Sequence, residues 1–414
     1  MTGILFLAHR LPFPPDRGDK IRSHHLLRAL AELAPVHVGC FAESPADYQH
    51  EHALKAVAAS HCMPLRDTRL LLAGLKAVLK HEPVSLAAFR DATLANWVQT
   101  TLATHAIDTI YVFSGQMGQY VPDDWNGRLI VDLVDVDSAK FEAYATDGNP
   151  VMRWVNAREA RLLRTEEQRL AAQADHVLLI SRQEADLFRS RIPASLQGRV
   201  RAMGNGIDVA SYDPAAVTRH AAFVSEPGPH LLFTGQMDYA PNIEAVERVV
   251  RQIMPGIRRR HPGARFHVVG RAPTAEVRAL DGVEGCHIWG EVADVRPFLR
   301  AADLVVAPLT IARGVQNKVL EAMAMARAVV LTPPAATGIP ATDGVHLAIA
   351  EQDDALIDAC LRLLAAPDDR AALGGAARDL VSQDMNWPAM LVDLAGLVSA
   401  PPKGAHDDGR RDAA

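Results

Sequence analysis

The stretch Asp303–Met325, DLVVAPLTIARGVQNKVLEAMAM, decides how the chain is read. Its apolar run Leu304–Ala307 predicts a buried strand, and Pro308 ends it. A short loop with Arg313 and Gly314 leads into a helical pattern whose apolar face is Val315, Val319, Ala322 and Met323. The amino end of a helix carries unpaired N–H groups and partial positive charge, so it draws anions. Arg313 precedes this helix and Lys318 lies in its first turn. Glu321, three positions on, shares the side of Lys318 one turn deeper. The arrangement suits a nucleoside diphosphate, with phosphates at the helix tip and hydroxyls against the carboxylate. The competing reading is a surface helix whose Lys318 and Glu321 pair with each other for about 0.2–0.5 kcal/mol.

Outward from this segment, short β-rich apolar runs alternate with longer helical patterns, which predicts parallel sheets built from βαβ units. In the first half the strand candidates are 4–8, 36–41, 109–113, 129–133 and 176–180, with helices such as 21–33 and 156–172 between them. A second series runs through 231–234, 266–269, 286–289, 304–307, 329–331 and 346–349. The polar region 204–228 between the series reads as a linker. The fold class expected is α/β, two doubly wound domains facing a cleft where the carboxyl ends of both sheets meet. Near the end, Asn386, Trp387 and Pro388 read as a helix start, and Leu391, Leu394 and Leu397 as its apolar stripe. Residues 401–414 show no apolar pattern and are expected to be a disordered tail.

Composition narrows the function classes. The 414 residues suffice for two or three domains, and a net charge of −6 supplies no basic field of the kind that drives nucleic-acid binding. Cys40, Cys62, Cys286 and Cys360 form no CxxC pair, as expected of reduced thiols in a cytoplasmic protein rather than a disulfide framework or zinc site. The first residues show no signal-peptide pattern, and no uncharged run approaches the ~20 residues a membrane span needs. The expectation is a cytoplasmic protein, peripheral to the inner face of the membrane at most.

Four further motifs stand out. LPFPPDRGDKIRSHHLLRAL follows the first strand, with Gly18 letting the backbone approach a ligand and Lys20 and Arg22 placed to hold an anion. Its alternative is a rigid loop with solvated cations. LLFTGQMDYAPN puts Gly235 after the first strand of the second series, with Asn242 as a helix cap. GNGID, 204–208, suggests a left-handed turn at a hinge. DLVDVD offers Asp135 and Asp137, a weak signal for a divalent metal; no metal is expected.

Two basic amphipathic stretches complete the set. The first, 65–83, combines Leu70, Leu71, Leu72, Leu75 and Leu79 with Arg66, Arg69, Lys76 and Lys80. The second, 153–170, carries Trp154 with Arg153, Arg158, Arg161, Arg164 and Arg169. Each reads as an ordinary helix with solvated charges or as one lying on an anionic membrane. Glu159, Glu166 and Glu167 count against the membrane for the second.

Taken in order, these motifs resemble the retaining family-4 glycosyltransferases of the GT-B fold. The residues carrying the likeness are Gly18, ISRQEADLF (180–188), GNGID, Gly235, WGEVADV (289–295) and PL…RGVQNKVLEAMA. RLPFPPDRGDKIRSHHLL, DLVDVDS and ARGVQNKVLEAMAM resemble the sugar transferases that accompany the exosortase/PEP-CTERM exopolysaccharide system. The likeness implies two Rossmann-like domains, 1–208 on the acceptor side and 209–386 binding a UDP or GDP sugar, with a final helix, 387–400, packing back on the first. It also implies metal-independent transfer with retention to a lipid-linked or oligosaccharide acceptor. Glu321 would hold the ribose hydroxyls, and the backbone near Gly18 and Gly235 would approach the phosphates. Where the family carries a first Glu eight positions before Glu321, this chain has Arg313; its usual Arg and Lys after the Gly235 strand are Gln236 and Asn242. Arg313 and Lys318, beside Gly314, are therefore assigned to the leaving diphosphate. Two alternatives stay open: a nucleotide-sugar epimerase on the same fold, and a non-catalytic nucleotide-sugar-binding subunit of a polysaccharide assembly complex.

Overall fold

The computed structural model describes residues 2–68, 74, 77, 78, 80–146, 149–226, 228–312 and 314–399. The chain forms two compact units: residues 1–204 with the segment from Leu391 onward, and Asn205–Met390.

The first unit is built on seven parallel strands. In chain order its elements include β1 (Ile4–Ala8), α1 (Gly18–Leu33), β2 (Val36–Gly39), β3 (Ser60–Cys62), α2 (Val84–Ala88), β4 (Thr109–Phe113), β5 (Arg128–Val134), α3 (Asp137–Tyr144), α4 (Pro150–Gln173), β6 (His176–Leu179), α5 (Arg182–Arg189) and β7 (Val200–Ala202). The sheet order is β3-β2-β1-β4-β5-β6-β7. Ile4 faces Val36 on one side and Thr109 on the other. β1 and β4 are buried along their whole length, as parallel strands covered on both faces must be.

The second unit contains β8 (His230–Thr234), α6 (Ala240–Arg248), β9 (Arg265–Val269), β10 (Cys286–Gly290), β11 (Leu304–Ala307), α7 (Asn317–Ala324), β12 (Ala328–Leu331), β13 (Ala348–Ile349), α8 (Pro367–Asp384) and α9 (Trp387–Met390). Its six strands pair in the order β10-β9-β8-β11-β12-β13, all parallel. Both units are Rossmann-like doubly wound α/β domains whose strand order reverses beside the first strand.

Several expectations are corrected. β3 and β7 were not anticipated: each has three residues, largely outside the core, too short for an apolar pattern to register. The 204–228 region is no free linker but lies on the second unit. Phe223 enters the core there, while Arg296, Arg300 and Arg378 donate to the carbonyls of Ser211, Pro214 and Tyr212. Guanidinium donors thus satisfy an irregular backbone that no sheet pairs with. GNGID adopts no left-handed residue. Gly206 is small because a Cβ would fall 2.6 Å from the Trp387 backbone, where Ile207 N–H donates to the Met385 carbonyl. After α9 the chain turns through Leu391–Asp393 before α10 (Leu394–Ser399), so two short helices replace the single one expected. The tail 401–414 lies outside the described residues.

α4 begins at Pro150, six residues before the expected start, because the Asn149 side chain accepts from Met152 N–H and Pro150 suits the first position. Its two acidic residues Glu159 and Glu167 turn inward, only 3% and 5% exposed. Glu159 accepts from the Val84 and Ser85 amides and the Ser85 hydroxyl, capping α2. Glu167 accepts from the Ser138 amide and hydroxyl at the start of α3. Each carboxylate meets the positive end of another helix.

Candidate functional site

In the second unit β8 delivers the chain into a turn at Gly235, whose φ of +154° favours glycine. A Cβ there would also stand 2.9 Å from the Asn242 side chain and 3.0 Å from Lys318 Nζ. α6 starts at Ala240, and Asn242 sits inside it rather than capping it. Its amide donates to the Gln236 carbonyl at 2.8 Å and accepts from Lys318 Nζ, so it ties the turn to α7.

α7 begins at Asn317, two residues later than Val315 suggested. Val315 precedes the helix and packs over Gly338, while Val319, Ala322 and Met323 face the core as expected. Gly314 takes a left-handed conformation, φ +63°, and its carbonyl accepts from Gln316. Lys318 lies in the first turn of α7, its ammonium 4.3 Å over the Phe233 ring. Burial lowers its pKa to about 8, against the favourable field of Glu321. Glu321, one turn deeper, is pushed up to about 7 by burial, with the Tyr212 hydroxyl and Lys318 acting the other way. Lys318 and Glu321 do not form the contact ion pair of the bland reading: one bonds to an amide, the other to a phenol.

Gly235, Gln236, Asn242, Arg271, Lys318 and Glu321 line one cavity of about 500 Å³, with Val292, Val295 and Val315 among its apolar residues. That size and mixture suit a small polar ligand with a flat, apolar part. Arg271 reaches in from the β9 end and donates to Gln236 Oε1 at 2.8 Å. The β8 and β9 turns nearly touch, since a Cβ on Gly270 would lie 1.6 Å from the Gly235 carbonyl oxygen. Sequence reasoning missed Arg271 and Tyr212. Each lies in a stretch with no periodic pattern, and only the fold brings them to α7. Arg313 lies outside the described residues.

The proposed acceptor-side residues stand apart in the first unit. Gly18 opens α1 with open space where a Cβ would be. Lys20 is buried, 3.6 Å from Asp16. Arg22, 1% exposed, bonds to the buried Asp132 at 2.9 Å and to the Gly204 carbonyl, so it ties α1 to β5. Asp135 is pushed up to about 6 by burial and by Glu184 and Asp137. Among the described residues, no group of three or more His, Cys, Asp or Glu side chains is placed to hold a metal ion. Among them, too, no helix is long and apolar enough to cross a membrane.

Comparisons bear on this geometry. Solved structures similar over nearly the whole chain include a sucrose-phosphate synthase from Thermosynechococcus elongatus, with 17% identity, TM-score 0.64, and 96% of this chain and 98% of that one covered. HepE of Anabaena, crystallised with UDP and glucose, matches at 17% identity and TM-score 0.64, covering 97% and 100%. WaaG, a glycosyltransferase involved in lipopolysaccharide biosynthesis, matches at 15% identity and TM-score 0.60, covering 96% and 100%. At such identities the likeness establishes the fold. No curated protein matches the sequence. Residues 228–366, which include the whole cavity lining, match the family model Glycosyl transferases group 1. The chain therefore has the fold of GT-B glycosyltransferases, and the match to the group 1 model falls within its second unit.

Proposed function

We propose that this protein is a glycosyltransferase that takes a UDP or GDP sugar in the second-unit cavity and passes the sugar to a lipid-linked or oligosaccharide acceptor. One observation carries the reading: Lys318 is held at the cavity by neutral partners, an amide and an aromatic ring, above the part-buried Glu321. A desolvated cation beside a helix start favours a diphosphate, and Glu321 one turn below accepts from ribose hydroxyls. The group 1 family match over 228–366 supports the same reading.

In the reaction the bond from the sugar to the diphosphate breaks and its electron pair stays with the diphosphate. Lys318, Arg271 and the first amides of α7 are placed to stabilise that growing charge, with no protein nucleophile. We assign the acceptor to the first unit, retention of the anomeric configuration, and independence from metal. Exopolysaccharide synthesis at the inner face of a bacterial membrane, of the exosortase/PEP-CTERM kind, is the setting we favour from the sequence resemblance.

Thermal-shift titration against UDP-, GDP- and ADP-sugars tests the donor. A ligand at 100 times its Kd stabilises by about 2.7 kcal/mol, and that shift is expected for one base and lost in Lys318→Ala. No shift with any of the three would refute the reading. Binding without transfer across a panel of acceptors would instead favour a sensing subunit, a reading that Arg313 in place of the family's Glu keeps in view.

A further inference from the structure

We infer that the amino-terminal end of α4, with the end of α3, is a docking surface for an anionic lipid bilayer. The inference deepens the proposed lipid-linked acceptor and rests on that reading. Five large apolar side chains of the first unit are exposed there: Val151 is 70% exposed, Trp154 61%, Tyr144 51%, and Met152 and Val78 48% each. Val151, Trp154, Arg158 and Arg161 follow one another at helical spacing, so they share a face. Trp154, Val78, His81 and Arg161 line a single hollow of about 440 Å³.

The charge on this face is the deciding feature. In the sequence the acidic residues of α4 seemed to cancel its arginines, but Glu159 and Glu167 are spent inside the unit on the starts of α2 and α3. Glu166 pairs with Arg169 at 2.6 Å. On α3 the exposed Glu142 is matched by Arg191 and Arg164. Arg153, Arg161 and Lys80 remain exposed around the apolar residues. An indole flanked by guanidinium groups is the composition that settles at the headgroup level of an anionic bilayer.

The placement is rigid. Arg158 donates to the carbonyls of Ala77 and Glu82, and Asn156 and Arg153 donate to those of Tyr144 and Ala145. Val151, Met152 and Trp154 are therefore presented by a helix end tied to its neighbours rather than by a loop.

Flotation with vesicles of phosphatidylcholine containing about one third phosphatidylglycerol is the test. The full chain is expected to float with them and to partition about tenfold less onto pure phosphatidylcholine. Brominated lipid is expected to quench wild-type tryptophan fluorescence and to lose most of that effect in Trp154→Phe. Val151→Asp with Trp154→Asp is expected to lower partitioning about tenfold or more while leaving the donor-induced thermal shift unchanged. Absence of flotation, or flotation unchanged in the double variant, overturns the inference. So does lipid-free self-association in sedimentation that the same substitutions abolish, which would give the face to a second copy of the chain. A wild type that floats yet shows no donor shift would sink the glycosyltransferase reading and leave the surface standing.

Discussion

The two Rossmann-like units share a strand order, yet they treat the cations that reach their first turns, Lys318 coming to the Gly235 turn from α7, in opposite ways. In the first unit each cation of the turn after β1 has a carboxylate beside it. Arg10 meets Asp19 and Glu43, Arg17 meets the same two, Lys20 meets Asp16, and Arg22 meets Asp132. The opposed charges hold Asp19 and Glu43 below the usual carboxylate range despite their burial. In the second unit Lys318 contacts an amide and a ring, and no described carboxylate forms a contact ion pair with it. One turn is neutralised from within; the other is met by a cation whose contacts are neutral. Equal topology thus gives unequal chemistry, because function rests on which side chains answer a charge.

Four experiments would break or sharpen that contrast. The largest effect is expected from Arg22→Ala, which strands the buried Asp132 and should cost about 3–5 kcal/mol of stability, read as a shift in the denaturation midpoint. A loss under 1 kcal/mol would mean the pair does not lock α1 to β5 as described. Lys318→Ala should do the reverse. It should leave the midpoint nearly unchanged and lower kcat by the ~2.7–4 kcal/mol typical of removing one charge-stabilising group, about a hundredfold or more. Wild-type turnover in this variant would return the site to a surface helix.

Acid should then act on the second unit through one buried histidine. His267 is held down to about 3 by burial and by the nearby His230, below the ordinary value of 6.5. Trp289 donates to its Nδ1, so its Nε2–H faces His230 Nδ1, and that ring donates to the Glu226 carbonyl. Below pH 6.5 the unfolded chain binds the proton that the folded one refuses. Stability should therefore fall by about 1.4 kcal/mol per pH unit as pH drops from 6.5 toward 3. His267→Phe should flatten this slope in urea titrations; an unchanged slope would assign it elsewhere. The smallest effect concerns donor affinity. It should be greatest between about pH 7, where Glu321 ionises, and about pH 8, above which Lys318 loses its proton. Calorimetry with a nucleotide-sugar should show weakening of up to about tenfold per unit on the alkaline side. A flat profile would mean that neither group meets the ligand.

Most of the fold was legible because parallel strands are continuous apolar runs, and Leu304–Ala307 or Thr109–Phe113 needed no context to be seen. The misreadings share a cause. Polar residues were judged by local pattern, whereas their partners lie far along the chain. Asn242 looked like a cap but bonds to a lysine 76 residues away. Arg22 was read as holding an anion from outside but answers Asp132, 110 positions on. Of the residues at the cavity, Lys318 and Glu321 were picked out from helical spacing. Tyr212 and Arg271 were not, because neither the strap after Asn205 nor the turn after β9 carries a repeating signal.

The inward glutamates of α4 have one more consequence. Much of what fixes where this helix lies, the Ser85 and Ser138 clasps and the buried Ala160, Leu163 and Leu170, is on its hidden side. The outward Val151 and Trp154 take no part in those clasps, so at these positions selection or an engineer can rewrite affinity for whatever the helix meets. Architecture and outward contact thus fall to largely different residues along the same 24 positions.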